Sequence, residues 1–170
     1  GRLEKKKGLK YLLLAFKQLL IDGHKLRLLV VGPGKLDSDC QRIIRSIGTC
    51  DLLIMGEVPY NDLPRYYSSA HIFCSPSIGS ESFGIVLLEA MSSGKPIIAS
   101  DIDGYKNAAP LMYTSSWFPS EKGGAASNMF FSFTEEEKVT ELFKLIKRFN
   151  ENSETTNPIR AVEIPIERTV

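Results

Sequence analysis

Two carboxylates eight positions apart, Glu81 and Glu89, frame the stretch of this chain best equipped for chemistry. Between them run Ser82-Phe83-Gly84-Ile85-Val86-Leu87-Leu88, and Ala90-Met91 follow. The spacing predicts a helix over 82–93, closed by Gly94 and apolar almost all round. A helix without a polar stripe is normally buried. Glu89 then needs a partner, because an unpaired charge in apolar surroundings is prohibitive. The paired hydroxyls of a ribose would serve. Upstream, the turn Gly79-Ser80-Glu81-Ser82 leaves the backbone N–H groups of Phe83, Gly84 and Ile85 at a helix N-terminus, where orphan donors and the helix dipole favour phosphate. Gly84 lets a ligand approach the backbone closely. Glu81, just outside the first turn, is placed to accept hydrogen bonds from sugar hydroxyls. One loop and one helix thus offer sugar, phosphate and ribose contacts in a row.

Alternating strands and helices must position this stretch. Leu9, Leu12, Leu13, Phe16, Leu19 and Leu20 recur at helical spacing, with Gly23 placed to stop the helix. The apolar run 26–31 reads as a buried parallel strand that enters the turn Gly32-Pro33-Gly34. A helix over 37–47 turns Ile43, Ile44 and Ile47 inward. A strand over 51–55, a short helix capped by Asp62 through Tyr66 and Tyr67, and strands over 71–75 and 96–100 complete the alternation. The fold class expected is α/β: a Rossmann-like parallel sheet with helices on both faces. Such sheets bind ligands in the crevice at the carboxyl ends of their strands. The turns after Val31, Met55, Ser75 and Ser100 are therefore expected to line the site. Beyond 110 the pattern weakens: 113–127 reads as a long Ser/Gly/Pro loop and 129–133 as a last strand. Thr134-Glu135-Glu136-Glu137 is a capping box for a helix to about Asn150, striped by Val139, Leu142, Phe143 and Ile146.

Composition narrows the partners. The 170 residues are 43% hydrophobic and 24% charged, suited to one soluble domain, and a net charge of +1 gives no reason to expect nucleic acid. Cys40, Cys50 and Cys74 lack metal-ligand spacing and read as reduced, mostly buried thiols of a cytoplasmic protein. No apolar run approaches the ~18–20 residues that span a bilayer. Peripheral membrane contact needs only a surface patch and stays open. Gly32-Pro33-Gly34 lacks the third glycine of a dinucleotide fingerprint, which disfavours a dehydrogenase. Lys95 has no supporting motif for a pyridoxal site. His24 and His71 are most simply structural.

Glu81 and Glu89 also form a Glu-x7-Glu pattern. With the flanks Ser75-Pro76-Ser77 and Gly94-Lys95-Pro96-Ile97-Ile98-Ala99-Ser100-Asp101, it resembles the retaining glycosyltransferases of family four, which have two facing nucleotide-binding-type domains (GT-B). The 81–89 stretch and Ser100-Asp101-Ile102-Asp103 are most similar to bacterial phosphatidylinositol mannosyltransferases, which use GDP-mannose. The resemblance runs over about 1–107. It implies one nucleotide-sugar-binding domain over 1–170, cut from a larger two-domain enzyme: a well-matched core over 1–110, a divergent loop over 111–128, and a C-terminal strand, helix and tail over 129–170. It implies that Arg2 and Lys7 grip the donor's diphosphate, although by spacing alone the lysine-rich opening reads as a solvated helix start. Gly32 corresponds to the glycine beside the nucleotide, and Gly56-Glu57-Val58 to the turn that contacts the base. Glu81 would hold the donor sugar, Ser82, Phe83, Gly84 and Ile85 its phosphates, and Glu89 the ribose.

The expected reaction is transfer of a hexose, mannose first and glucose or N-acetylglucosamine next, from a nucleoside diphosphate to a lipid, glycan or small-molecule acceptor, with retention of configuration. No metal or cofactor is implied, since Asp101-Ile102-Asp103 follows the wrong element for a metal-binding Asp-x-Asp. The alternative is a non-catalytic nucleotide-sugar-binding or scaffolding subunit of the same fold. The partners implied are a nucleotide sugar, an N-terminal acceptor domain outside this chain, and a membrane surface for the full enzyme. Two departures stand out: His71 takes the place of a common Asp, and Asn128-Met129-Phe130-Phe131 replaces a more regular strand. The resemblance also implies a first strand in mid-sheet that the chain lacks; the tail 161–166 or a neighbouring chain is expected in its slot.

Overall fold

The computed structural model describes residues 1–48, 50–79, 81–106, 108, 129–131 and 137–154. Helix α1 (Leu9–Ile21) buries Leu12, Leu13, Ala15, Phe16 and Leu19 and ends in a Schellman turn, His24 N–H to Leu19 O at 3.0 Å and Gly23 N–H to Leu20 O at 3.1 Å. Strand β1 (Leu28–Val31) leads through the glycine turn to α2 (Ser38–Ile47), whose N-cap Asp37 accepts from the Cys40 N–H at 2.7 Å. Only Cys40 of α2 is buried; Ile43, Ile44 and Ile47 are half-buried. Then come β2 (Leu52–Gly56), α3 (Leu63–Ser69), β3 (Phe73–Ser75), α4 (Ile85–Ser92), β4 (Ile97–Ser100), α5 (Asp103–Lys106), β5 (Met129–Phe131) and α6 (Lys138–Glu154).

Among the described residues all strand pairs are parallel, in two ladders: β1 with β2, and β3 with β4 and β5. Alternation along β3 and β4 sends neighbouring residues to opposite faces. Cys74 and Ile98 join Leu12, Ala15, Leu19, Leu142 and Ile146 beneath α1 and α6. Phe73, Ile97 and Ala99 join Leu87, Ala90 and Tyr105 beneath α4 and α5. Helices therefore cover both faces, as expected. Each fully buried Leu or Ile contributes about 2 kcal/mol. Among the described residues no helix is long and apolar enough to cross a membrane.

The two ladders are stitched by residues 1–8. Gly1 N donates to Val31 O and Leu3 N–H to Pro33 O, both at 2.7 Å, while Ile78 N–H donates to Lys6 O at 2.8 Å. The segment thus touches the ends of β1 and of β3 at once. The tail 161–166, the loop 111–128 and most of the capping box lie outside the described residues.

Three expectations need correction. Asp62 does not cap α3: it is already helical (φ −91°, ψ −17°), part of a 3-10 turn over Tyr60–Asp62, and its carboxylate pairs with Arg65 at 3.3 Å. Helix α4 starts at Ile85, three residues later than predicted, because Gly84 takes a left-handed conformation (φ 72°) that an α-helix cannot contain. The helix is also less buried than its composition suggested, with Ile85 64% exposed and the preceding Phe83 41%. Third, Cys50 is exposed, while Cys40 is buried and Cys74 half-buried.

Candidate functional site

The opening segment delivers a lysine to the Glu81 loop. A 3-10 turn over Lys5–Lys7 closes on Gly8, whose φ of 71° sets the start of α1. Gly8 lies so close to β3 that a Cβ there would stand 1.9 Å from Pro76 O. Within the turn, Glu4 gathers two of the basic side chains, Lys6 at 3.2 Å and Arg2 at 3.6 Å. The Lys6 hydrogen bond holds the Glu4 carboxyl below its ordinary range. Lys7 points the other way and pairs with Glu81 Oε1, which also accepts from Ser77 Oγ at 3.3 Å. Both members of this pair are largely shielded, Glu81 with 11% of its side chain exposed.

The Glu81 loop sits flush on α5. A Cβ on Gly104 would stand 1.9 Å from Glu81 O, and one on Gly84 would stand 2.5 Å from the Tyr105 ring. From Gly84 the chain enters α4, whose first amides have no intrahelical acceptor. One turn on, half-buried Glu89 accepts from the Tyr67 hydroxyl at 2.7 Å. Burial, and then Glu89 itself, push the Tyr67 phenol well above its ordinary value, so it stays protonated as a donor. Its ring packs on Phe73 with centroids 5.4 Å apart. The amine of Gly1 is held below its usual value by burial and by Lys7, and is raised in turn by Glu89 and Glu81. An open depression of about 320 Å³ is lined by Gly79, Glu81, Asp101, Ile102, Asp103 and Gly104.

A model of the family described as "Glycosyl transferases group 1" matches residues 1–156. The chain belongs to the group 1 glycosyltransferases. It is 36% identical over 106 residues to the phosphatidyl-myo-inositol mannosyltransferase of Mycobacterium leprae, covering 61% of this chain and 27% of that protein. It is 35% identical over 103 residues to the protein of the same name from Mycolicibacterium smegmatis, covering 61% and 26%. The chain thus spans about a quarter of these relatives' length. Among solved structures, the Anabaena Alr3699/HepE complex with UDP-glucose superposes with a TM-score of 0.66 at 23% identity, over 92% of this chain and 39% of that one. That likeness shows a shared fold. The family match extends the resemblance past 107, through β5 and α6.

Within this glycosyltransferase fold the expected residues divide. Lys7 and Glu81 meet directly; Ser82, Phe83 and Ile85 are exposed around buried Gly84; Glu89 follows on the same helix. Gly32 is buried at the end of β1, where a Cβ would stand 1.7 Å from Gly1 O. Its N–H donates to Gly56 O at 2.8 Å, which sets exposed Glu57 and half-buried Val58 beside it on the neighbouring strand end. Arg2 does not join the Lys7–Glu81 pair: its side chain is 74% exposed and turned to Glu4, two residues away. Of the four expected turns, only those after Ser75 and Ser100 line the depression. The helix opens at Ile85 behind the Gly84 cap, not at 82, so Phe83 precedes the cap instead of lying in the first turn. Sequence reasoning missed Tyr67, Ser77 and Tyr105 as parts of the site. No local pattern marks Tyr67 or Tyr105; Ser77 alone stands inside a family motif, Ser75-Pro76-Ser77.

Proposed function

We propose that this chain is the nucleotide-sugar-binding unit of a two-domain, retaining, metal-independent hexosyltransferase, acting with an acceptor domain outside it. The observation that carries the reading is the meeting of Lys7 and Glu81 at the mouth of α4, with Glu89 anchored further along the same helix. A donor reaching both would exchange the ion pair for diphosphate on Lys7 and sugar hydroxyls on Glu81. The α4 amides and Lys7 then aim positive charge where the leaving diphosphate develops negative charge, usually the largest electrostatic term in such catalysis. Arg2, free of packing, would swing from Glu4 to the same phosphates. Glu89 would accept from the ribose hydroxyls, with Gly32, Glu57 and Val58 flanking the base. Mannose is favoured as the sugar because the relatives at 35–36% identity are named mannosyltransferases, whereas the UDP-glucose complex is of a protein 23% identical. The protein would work in the cytoplasm, with membrane contact belonging to the whole enzyme.

Calorimetric titration with GDP, UDP and ADP, with and without magnesium, tests this. The expected result is magnesium-independent binding of one nucleotide, weakened in Glu89→Ala. Failure to bind any of them, or binding indifferent to that substitution, would refute the donor site.

A further inference from the structure

Behind Glu81 lies a buried run of hydroxyls, whose role rests on the donor-site reading and deepens it. Tyr105 is fully buried, with its phenol oxygen 2.6 Å from Ser75 Oγ and 2.9 Å from Ser77 Oγ. Both serines are buried too, and Ser77 Oγ continues to Glu81 Oε1 at 3.3 Å. The protons can be ordered from one end. An ionised carboxylate only accepts, so Ser77 gives its single proton to Glu81. The Tyr105–Ser77 contact then requires the phenol to donate. With that proton committed, Ser75 must donate to the phenol oxygen. Three hydroxyls therefore point one way, from Ser75 through Tyr105 and Ser77 to Glu81, and bonds aligned like this polarise one another.

We propose that Tyr105 is a positioning residue for Glu81, holding Ser77 so that one carboxylate oxygen stays fixed and the other is presented to the sugar of a nucleoside diphosphate sugar. Tyr105 acts through Ser77 and touches no donor itself. A second feature of the same residue agrees. Its ring fills the space beside Gly84, and the adjoining Gly104 meets the Glu81 carbonyl, so backbone and carboxylate of Glu81 are set by one surface. The fixed oxygen is Oε1, shared by Ser77 and Lys7; among the described residues Oε2 has no hydrogen-bond partner and is left for a ligand hydroxyl.

Tyr105→Phe keeps the ring and removes only the hydroxyl. The chain would be titrated calorimetrically with GDP and GDP-mannose, and with UDP and UDP-glucose, beside Tyr105→Phe, Ser77→Ala and Glu81→Gln. The expected result is a roughly three- to tenfold loss of affinity for the nucleotide sugar in Tyr105→Phe, with the bare diphosphate changed by less than about twofold. Ser77→Ala should repeat this pattern, and it carries the test alone if Tyr105→Phe fails to fold. Equal losses for diphosphate and nucleotide sugar would reduce the hydroxyl to a packing role and overturn the proposal. If Glu81→Gln loses the sugar-dependent affinity while Tyr105→Phe and Ser77→Ala retain it, the relay is overturned and the donor site stands. If Glu81→Gln retains it as well, the donor-site reading falls and the relay with it.

Discussion

Gly8→Ala tests the link between backbone geometry and the site. Gly8 has φ 71°, and a methyl group built on it would lie 1.9 Å from Pro76 O and 2.8 Å from Pro76 C. The left-handed conformation alone costs a non-glycine residue about 1–2 kcal/mol. The contact must also open by roughly 1.5 Å to reach about 3.4 Å, where ordinary van der Waals contact begins. The atom in the way is a backbone carbonyl, so no side chain can turn aside. The easiest escape lifts residues 5–8 off β3 and breaks the Ile78 N–H bond to Lys6 O, 2.8 Å long, for a further ~1 kcal/mol. The sum is about 2–3 kcal/mol, or roughly 4–12 °C in Tm for a chain of this size.

Gly23 supplies the control. It has φ 83° with nothing within 4 Å of its Cβ position, so Gly23→Ala should cost only the same conformational ~1–2 kcal/mol. Thermal melts of both variants, followed by circular dichroism, isolate the Pro76 contact as their difference. If Gly8→Ala melts at the same temperature as Gly23→Ala, the close approach of the opening segment to β3 is wrong, and the placement of Lys7 against Glu81 goes with it.

Other outcomes are open to measurement. Asp37→Ala should lose about 1 kcal/mol, some 2–4 °C in Tm, because its carboxylate caps α2 through the Cys40 N–H, while Asp37→Asn should be nearly neutral. Iodoacetamide at pH 8 should alkylate exposed Cys50 rapidly and spare Cys40 and Cys74, whose thiols burial pushes up to about 12; mass spectrometry of the native chain would show one adduct, and two or more would contradict the packing. Tyr67 should ionise above the ordinary tyrosine value of 10.0 in an ultraviolet titration. Its folded pKa is raised, so the folded chain holds the proton more tightly. Its contribution to stability is full below the ordinary value and lost as the pH climbs past it. Tyr67→Phe should flatten that alkaline loss; an unchanged slope would exclude Tyr67 ionisation as its source.

The fold was legible because period and punctuation agreed at each element. The α1 stripe and Gly23, the short apolar strands and the 139–146 stripe all follow from residue spacing, and β1 to β4 begin one or two residues after their predicted starts. The start of α4 was not legible from composition. A glycine followed by Ile-Val-Leu-Leu is compatible with a helix running through it; in the structure Gly84 turns left-handed, and the Tyr105 ring occupies the space a Cβ there would need. Asp62 failed as a cap for a related reason: the preceding turn had already drawn it into helical angles. Glu81 and Glu89 stood out because a carboxylate in an apolar run is conspicuous in one dimension. Their partners are not. Tyr67 lies 22 positions from Glu89 and Lys7 lies 74 from Glu81, distances that only the packing of α3 on α4 and of the opening turn on β3 can close.

The two carboxylates share a construction that bears on how such a site gains affinity. Each has one oxygen held from behind, Glu81 Oε1 by Lys7 and Ser77, and Glu89 Oε2 by Tyr67. A carboxylate offers about four acceptor positions, so one anchored oxygen leaves the other free to accept from a hydroxyl without competition. Anchoring also removes rotamer freedom before any ligand arrives, and ordering a long side chain at the moment of binding costs about 0.5–1.5 kcal/mol. Arg2 is the opposite case: with 74% of its side chain exposed and, among the described residues, only Glu4 to hold it, it would bear that ordering cost in full on reaching a phosphate. In the proposed reading, substitution of Arg2 should therefore weaken donor binding less than loss of either carboxylate. The salt sensitivity of binding should rest on Arg2, whose charge is open to screening ions, more than on Lys7, whose charge is shielded.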